Sequence, residues 1–346
     1  MRNSKKLLLI GFGSIGLTHI KKASKFFKEI TVVDLNENKK QELLLLSKLL
    51  TINVKFFRSV DELATNEKFE LIVIANWGPD HMQTFKRVSM LSSNILIEKP
   101  LVSRLSDLFI LKEQSTKGKI IIANHQWNYS GFKDKVKELQ NQYTLGKING
   151  AQVLGGAKCL VTNGIHYLAL TSQLLEQYPK TVMCVSSSHN INPRRSDFVY
   201  YEGVSAWQYE GGQYLSIHFQ NSSHVSETFR ILLENGFIEV KKGKMRAHTI
   251  GIQERESISK PARTLHTTVK SQFVDAFTNE NETDGLDKLY KGFLEKSYIA
   301  KDFEPGYQAS LGILASLFSS KKGSQVKIFN LEQVDNNEAS IEWNIT

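Results

Sequence analysis

Cysteine is scarce in this chain, with only Cys159 and Cys184 in 346 residues. Two cysteines do not make a disulfide framework, as expected for a reducing compartment, and neither has the spacing of a metal ligand. No apolar run approaches the ~20 residues that cross a bilayer. The short apolar run near the N-terminus is broken by Gly11 and Gly13 instead of a cleavage site, so it does not indicate a signal peptide. These absences predict a cytoplasmic protein with no metal and no membrane segment.

Long charged blocks, internal repeats and low-complexity segments are also missing. The net charge is +9 and the sequence pI is 9.2, yet the lysines are scattered. A scattered excess predicts a solvated basic surface and no nucleic-acid partner, while attraction of an anionic small substrate stays open. With 41% hydrophobic and 23% charged residues the composition is globular, and the length predicts two domains of ~150 residues each.

The first 124 residues alternate between short apolar runs and longer amphipathic stretches. Apolar runs separated by helices are typical of an α/β domain with a doubly wound parallel sheet. The predicted strands are 6–11, 30–34, 54–57, 69–76, 94–99 and 119–124. The predicted helices are 14–28, 36–50, 79–92 and 103–117. We therefore predict a nucleotide-binding type of domain at 1–124.

The pattern changes after Trp127. Residues 181–250 are rich in strand-like runs, with hairpin signals at 211–212 and 235–236. The predicted helices of this part are 132–142, 162–177, 268–280, 285–302 and 305–320, and the tail 324–333 is a candidate last strand. We predict an α+β domain with a large, mostly antiparallel sheet over 125–346.

The motif G-F-G-S-I-G follows the first predicted strand and opens a helix. Gly11 suits a tight turn, Gly13 lets a pyrophosphate approach the backbone, and Gly16 lets the helix pack on the strand. Asp34 ends the second strand, where a carboxylate binds the adenosine ribose and repels a 2′-phosphate, so NAD is favoured over NADP. The cofactor-binding residues predicted from this motif are Gly11, Phe12, Gly13, Ser14, Ile15, Gly16 and Asp34.

Two further strand ends fall at the same predicted edge of the sheet. N-W-G-P-D-H follows the fourth strand, and from it Asn76, Trp77 and His81 are predicted to border the cofactor. Trp77 can stack on the cofactor or cap the domain core, and both interpretations are open. His81 is interpreted as a residue that orders the loop by hydrogen bonding, in preference to a catalytic base.

N-I-L-I-E-K-P ends the fifth strand with a charged pair and a proline. Lys99 would project toward the nicotinamide end of the crevice, where an ammonium can stabilise a developing alkoxide. Glu98 would either hold Lys99 or reach the cofactor ribose. Pro100 fixes the exit of the chain.

Together, GFGSIG, Asp34, the loop ending in His81 and EKPL resemble the glucose-fructose oxidoreductase / inositol dehydrogenase / rhizopine catabolism (Gfo/Idh/MocA) family. The resemblance implies a Rossmann domain followed by a domain whose open-faced sheet forms a homodimer or homotetramer. It also implies nicotinamide-dependent oxidation or reduction of sugars, polyols or sugar nucleotides.

T-N-G-I-H at 162–166 matches the place where that family usually carries Asp-x-x-x-His. The resemblance makes His166 the proton acceptor from a substrate hydroxyl. Thr162 stands where relatives have the acid, and Ala169 stands where a further acid is common. Threonine can still hydrogen-bond a sugar hydroxyl but cannot raise the pKa of an imidazole as a carboxylate does. Asn163 is a candidate for some of the substrate binding.

The linker N-H-Q-W-N-Y-S-G-F departs from the Arg-aromatic-x-Pro pattern of relatives, with Asn128 and Gly131 at the Arg and Pro positions. His125, Trp127 and Tyr129 can line a sugar site or pack between domains. Arg194 and Arg195 are read as a solvated loop, with an anion clamp as the alternative.

The expected activity is that of an NAD-dependent sugar or polyol dehydrogenase with Lys99 and His166 as catalytic residues. One alternative is a glycosidase that uses bound NAD in transient redox steps. The other is a cofactor-binding sensor or partner protein that has lost catalysis at Thr162 and Ala169.

Overall fold

The computed structural model describes residues 5–64, 66–189, 199–250, 269–276 and 279–343; Arg194 and Arg195 lie outside them. The contacts divide the chain into two compact units. The first unit comprises Met1–Gln126, Gly285–Leu314 and Val334–Thr346, and the second comprises Trp127–Asp284 and Ala315–Gln333. The first segment of unit one ends two residues after the boundary predicted at 124. Two later segments, 285–314 and 334–346, also belong to the first unit.

The first unit contains a six-stranded parallel sheet in the order β3-β2-β1-β4-β5-β6. Its strands are β1 Lys6–Ile10, β2 Glu29–Val33, β3 Asn53–Phe57, β4 Leu71–Ile74, β5 Asn94–Ile97 and β6 Ile120–Ala123. Strands β1, β2, β4 and β5 are buried almost throughout, which explains their continuous apolar sequences. The predicted α/β class and the six predicted strands are confirmed.

Four helices connect these strands: α1 Ser14–Ala23, α2 Lys39–Leu50, α3 His81–Val88 and α4 Leu105–Thr116. Each lies within its predicted range but is shorter. The shortening is largest for α3, which has 8 residues and is preceded by the 3-10 turn Gly78–Asp80. Helix α1 is also shorter, because the turn after Ala23 ends it and β2 begins at Glu29.

The second unit contains a nine-stranded sheet in the order β14-β13-β12-β11-β7-β10-β9-β8-β15. Among the strands that the structure describes in this sheet, only β7 and β10 pair in parallel, so the predicted mostly antiparallel sheet is confirmed. Its strands are β7 Ile148–Gly156, β8 Thr181–His189, β9 Tyr200–Gln208, β10 Tyr214–Gln220, β11 Thr228–Leu233, β12 Gly236–Lys241, β13 Lys244–Ile250, β14 Val269–Ala276 and β15 Val326–Lys327. Its helices include α5 Phe132–Gln142 and α6 Gly164–Leu175.

One predicted element of this part is wrong. Residues 268–280 were expected to be helical, but Val269–Ala276 forms β14, which pairs antiparallel with β13. An extended strand is favoured by the residue types Val269, Phe273 and Val274. The edge of β13 provides its hydrogen-bond partners, and the sequence pattern could not reveal them because they are distant in the chain. Helices then follow as α7 Asn279–Leu294, α8 Glu304–Lys322 and α9 Asn336–Ala339.

The two faces of the large sheet differ in exposure. Ile217 and Val153 are buried on the face that α6 contacts. On the opposite face Leu154, Val204 and Val185 are register neighbours through His218, and they are exposed. The same face carries the exposed side chains of Met183 and Leu232. The described residues therefore leave these apolar side chains of the sheet face exposed.

Candidate functional site

The glycine-rich turn after β1 is held in a shape that larger residues cannot adopt. Gly11 has φ +92°, and a Cβ there would lie 2.7 Å from Ala75 O and from Asn76 N. A Cβ on Gly16 would lie 2.2 Å from Gly11 O. A Cβ on Gly13, in contrast, would meet nothing within 4 Å. The turn is therefore tight on its inner side and open where a ligand would approach the backbone.

Helix α1 begins at this open side. Its N-cap, Gly13, supplies no side-chain hydrogen bond, and both Gly13 and Ser14 are exposed. The first N–H groups of an α-helix have no intrahelical acceptors and carry a partial positive charge. The open backbone and uncapped helix start fit the pyrophosphate of a dinucleotide.

Asp34 lies at the end of β2 beside the glycine-rich turn. Its Oδ2 accepts a hydrogen bond from Phe12 N at 2.6 Å, and its Oδ1 accepts one from Asn36 N at 2.9 Å. Two backbone donors thus fix the carboxylate at the strand tip. This is the position where a carboxylate can accept hydrogen bonds from ribose hydroxyls.

Two cations lie on segments that adjoin the Asp34 end of β2, although the sequence showed none in the residues directly after Asp34. Lys39 Nζ is 5.9 Å from the centroid of the Phe12 ring. Arg58 follows β3, the strand that pairs with β2, and its Nη1 is 3.8 Å from Glu37 Oε2. The end of β2 therefore carries a fixed acid, with bases on the segments that adjoin it.

The loop after β4 is fixed to the end of β5 by a buried histidine. His81 Nδ1 is 2.9 Å from Pro100 O, and Nε2 is 3.2 Å from Asn76 O. Burial lowers the pKa of His81, so the ring is neutral, has one N–H, and can donate to only one of these carbonyls. Asn76 Nδ2 donates to Thr84 Oγ1 at 2.8 Å, and Trp77 is 41% exposed. His81 is thus placed to order the loop.

The tip of β5 combines a half-buried lysine with a buried acid. Lys99 precedes Pro100 through a cis peptide bond, and Glu98 is 6% exposed. Glu98 Oε1 accepts from Asn124 Nδ2 at 2.5 Å and lies 2.9 Å from His19 Nε2. Burial alone would raise the pKa of Glu98, but the hydrogen bond from His19, its charge and the bond from Asn124 hold that pKa below its ordinary value.

Sequence reasoning missed two members of this group. His19 lies three residues after Gly16, so a polar side chain on the buried face of α1 was the available signal. Tyr290 OH is 2.7 Å from His19 Nδ1 and comes from α7, and nothing local in the sequence indicated that contact.

His125 lies in the first unit next to the same charges. It is 3% exposed, and burial followed by the positive charge of Lys99 lowers its pKa to about 4, against the opposing charge of Glu98. The ring is therefore neutral at physiological pH. A buried neutral imidazole near Lys99 is compatible with its predicted role in substrate binding.

In the second unit His166 lies on α6 and is half-buried. Its ring centroid is 4.9 Å from that of Trp127, and Trp127 also contacts Tyr167 edge-on at 5.4 Å. Tyr129 belongs to the short 3-10 segment Gln126–Tyr129.

The residues before His166 form a turn, because α6 starts at Gly164 and not at 162 as predicted. His166 N donates to Asn163 O at 3.2 Å, and Asn163 Oδ1 accepts from Cys159 N at 3.0 Å. Thr162 is buried at 8% exposure. Thr162 and His166 therefore do not share the face of one regular helix.

A cavity of about 390 Å³ lies beside this aromatic group in the second unit. Such a volume is in the range of small-molecule sites. Ser226, Glu227 and Lys242 are its polar lining residues. Its apolar lining residues are Trp127, Phe132, Tyr167, Leu170, Phe229 and Val240.

Within the described ranges, no three His, Cys, Asp or Glu side chains group as metal ligands, and no helix is long and apolar enough to span a membrane. Cys159 and Cys184 are both buried and not bridged.

A family model for an oxidoreductase family with an NAD-binding Rossmann fold, Gfo/Idh/MocA, matches residues 5–125. The matched segment contains the glycine-rich turn, Asp34, the His81 loop and Lys99. Residues 5–125 are therefore similar to the Gfo/Idh/MocA family. The resemblance predicted from GFGSIG and EKPL is thereby confirmed.

Solved structures with the same fold cover nearly all of the chain. A candidate NADPH-dependent oxidoreductase from Desulfitobacterium hafniense is 12% identical over 96% of this chain and 100% of its own, with a TM-score of 0.75. Scyllo-inositol dehydrogenase from Lactobacillus casei, with bound NAD(H) and scyllo-inositol, is 12% identical over 94% and 100%, with a TM-score of 0.66. UDP-N-acetylglucosamine 3-dehydrogenase from Acidithiobacillus ferrooxidans is 14% identical over 92% and 97%, with a TM-score of 0.66.

Proposed function

We propose that the protein is an NAD-dependent dehydrogenase that oxidises a hydroxyl of a sugar, polyol or sugar nucleotide, or reduces the corresponding ketone. The observation that carries the proposal is the edge of the parallel sheet. There the open glycine turn, the fixed Asp34 carboxylate and Lys99 follow three different strands at their carboxyl ends. This edge is where dinucleotides bind in doubly wound sheets.

Each catalytic role follows from the chemistry of its residue. When bound, the nicotinamide cofactor supplies the hydride acceptor or donor. Lys99 hydrogen-bonds the substrate oxygen and stabilises negative charge on it. His166 takes the hydroxyl proton, as an imidazole can near neutral pH. Thr162 and Asn163 bind substrate hydroxyls, and the aromatic face of Trp127 packs against an apolar surface of the sugar. His125 presents a neutral polar ring near Lys99.

The preference for NAD over NADP rests on Asp34. A 2′-phosphate would meet a carboxylate fixed by the N–H groups of Phe12 and Asn36. Lys39, which lies over the Phe12 ring, and Arg58, which follows the strand paired with β2, weaken that exclusion, since either can attract a phosphate. We therefore expect a preference for NAD and measurable use of NADP.

The proposed substrate class follows what related folds bind: an inositol in one and a sugar nucleotide in another. A net charge of +9 supports an anionic member of the class. The uncovered face of the large sheet supports a homodimer or homotetramer through that face, since Leu154, Val185 and Val204 would otherwise lie in water. A cytoplasmic location stays a prediction.

The proposal is tested by incubating the purified protein with NAD and a panel of inositols, aldoses, uronic acids and UDP-sugars while recording absorbance at 340 nm. Lys99→Met and His166→Ala should each lower kcat by about 10²–10⁴-fold with NAD affinity retained. The exposed Lys48→Met is the control and should be unaffected. If Lys99 and His166 act on one oxygen, the double variant loses less than the product of the two single losses.

The alternatives give different results in the same assay. Release of an aglycone without net NADH formation would assign glycoside cleavage. NAD binding without turnover, unchanged in His166→Ala, would assign a sensor or partner protein. Full turnover in Lys99→Met would remove Lys99 from the mechanism.

A further inference from the structure

A buried polar cluster in the first unit joins two helices to the tip of the strand that carries Lys99. The cluster consists of His19 on α1, Tyr290 on α7, Glu98 after β5 and Asn124 after β6. All four side chains are almost fully buried. His19 lies between the other groups, 2.9 Å from Glu98 Oε1 and 2.7 Å from Tyr290 OH.

The direction of each hydrogen bond follows from the donors and acceptors available. Glu98 is ionised and can only accept, so His19 Nε2 must carry the proton that it donates to Oε1. Burial raises the pKa of Tyr290 well above its ordinary value, so the phenol keeps its proton and can donate to His19 Nδ1. The result is a chain of hydrogen bonds from Tyr290 through His19 to Glu98. It fixes one orientation of the His19 ring.

Glu98 is held from three directions as a consequence. Its Oε1 accepts from His19 and from Asn124, and its Oε2 accepts from Lys99 N at 3.3 Å. A buried carboxylate with these donors has little rotational freedom. Because Lys99 is the next residue, fixing Glu98 also fixes the backbone from which the lysine side chain departs. The negative charge of Glu98 also interacts with the positive charge of Lys99.

The packing around Tyr290 supports this positioning role over a catalytic one. Its ring is fully buried, with ring centroids 6.0 Å from Phe26 and 6.2 Å from Phe27. His19 is also fully buried. Neither side chain can therefore touch a substrate, and both can act only through Glu98.

We propose that His19 and Tyr290 are positioning residues of the dehydrogenase, which fix the direction of Lys99 by holding Glu98. The inference rests on the proposed function, because it assigns Lys99 to the reacting oxygen. It also assigns Glu98 to holding Lys99, in preference to binding the cofactor ribose.

The test compares His19→Ala, His19→Gln and Tyr290→Phe with the wild type. Ser115→Ala is the matched control, since Ser115 is equally buried in the same unit and donates to Ala300 O at 3.0 Å away from the cluster. His19→Ala should lower kcat by about 10²-fold, with KM and Kd for NAD within about threefold of the wild type. His19→Gln keeps an N–H that reaches Glu98 and should recover at least about tenfold of that loss. Tyr290→Phe should lower kcat by about fivefold.

A second readout does not depend on turnover. Competitive acetylation with acetic anhydride, followed by mass spectrometry of the peptide containing Lys99, measures how reactive its amine is. The rate relative to the other lysines should change in His19→Ala and stay at the wild-type value in Ser115→Ala. If the wild type turns over no sugar, the proposed function fails, and this readout still tests whether His19 positions Lys99.

Three results would overturn the inference. The first is a His19→Ala variant whose kcat and Lys99 acetylation rate equal those of the wild type. The others are a His19→Gln variant no more active than His19→Ala, and equal losses of kcat in Ser115→Ala and His19→Ala. Should His19→Ala fail to fold, His19→Gln and Tyr290→Phe decide. Lower kcat with unchanged NAD affinity in Tyr290→Phe then supports the inference, and wild-type kcat in both variants refutes it.

Discussion

In the first unit the candidate site consists of strand ends, a helix start and one fixed carboxylate. In the second unit it consists of side chains on a turn, on α6 and on a short 3-10 segment. Backbone geometry forms the first part, so Gly11 and Gly16 are required by shape. Side-chain chemistry forms the second part, so a different residue at Thr162 need not change the fold. The comparison implies that cofactor binding tolerates little change, whereas substrate choice can be retuned.

The largest effect expected from this comparison is at Gly16. In Gly16→Val the Cβ would lie 2.2 Å from Gly11 O, so α1 cannot pack on β1. We expect a loss of about 3 kcal/mol or more in the free energy of unfolding, together with loss of NAD binding. Chemical denaturation and NAD titration by calorimetry measure both quantities.

Gly13→Ala is the matched control for that change. Gly13 has φ −79°, and its Cβ would meet nothing within 4 Å. Stability should therefore change by less than about 0.5 kcal/mol, while NAD affinity falls by about tenfold, because a methyl group now covers the backbone that faces the pyrophosphate. Equal destabilisation by the two variants would break the distinction between the packed and open sides of the turn.

The second effect is a pH dependence of stability in the first unit. Burial and the charge of Lys99 lower the pKa of His125 from 6.5 to about 4 in the folded state. Between these values the unfolded chain binds a proton that the folded chain does not, so stability falls as the pH is lowered from 6.5 to 4. The loss at pH 4 should be about 3 kcal/mol.

His125→Asn should flatten this profile, measured as unfolding free energy from pH 7 to pH 4. It should not abolish the slope, because burial lowers the pKa of His81 in the same direction. His224→Asn, at an exposed position, is the control. An unchanged slope in His125→Asn would show that the imidazole titrates as in the unfolded chain.

The third effect concerns cofactor choice. Asp34→Asn removes the carboxylate that faces a 2′-phosphate and leaves the nearby cations Lys39 and Arg58. The ratio of kcat/KM for NADP to that for NAD should rise by about 10–100-fold. Glu37→Gln, which changes an exposed acid paired with Arg58, should alter the ratio by less than about threefold. A ratio that is equal in Asp34→Asn and the wild type would contradict the assignment.

The smallest effect lies in the second unit. Trp127→Leu removes the ring that contacts His166 at 4.9 Å, so KM for the substrate should rise by about fivefold with KM for NAD unchanged. Phe329→Leu, at an exposed aromatic, is the control. If Trp127→Leu raised KM for the substrate by a larger factor than Gly13→Ala lowers the affinity for NAD, the predicted order of the two effects would be wrong.

The sequence predicted the first unit well because its signals are local. GFGSIG is a contiguous turn, each apolar run is one strand of the parallel sheet, and EKP directly follows a strand. His19, Tyr290, Glu98 and Asn124 meet over up to 271 positions of chain, and no local pattern reports such a contact. The β14 error has a similar origin, since the pairing of Val269–Ala276 with β13 depends on a distant partner. In the second unit the sequence predicted that α6 begins at Thr162, because the amphipathic pattern extends back to that residue. The helix begins at Gly164, and the pattern does not mark that start.

The most direct test of the central claim follows one hydrogen atom. A sugar or inositol that supports NAD reduction is deuterated at the carbon that bears the reacting hydroxyl, and the reduced cofactor is analysed by mass spectrometry and proton NMR. Direct transfer predicts deuterium at nicotinamide C4 on a single face, with a primary isotope effect that persists in Lys99→Met at a lower rate. Deuterium released to water, or its absence from the cofactor, would contradict the account.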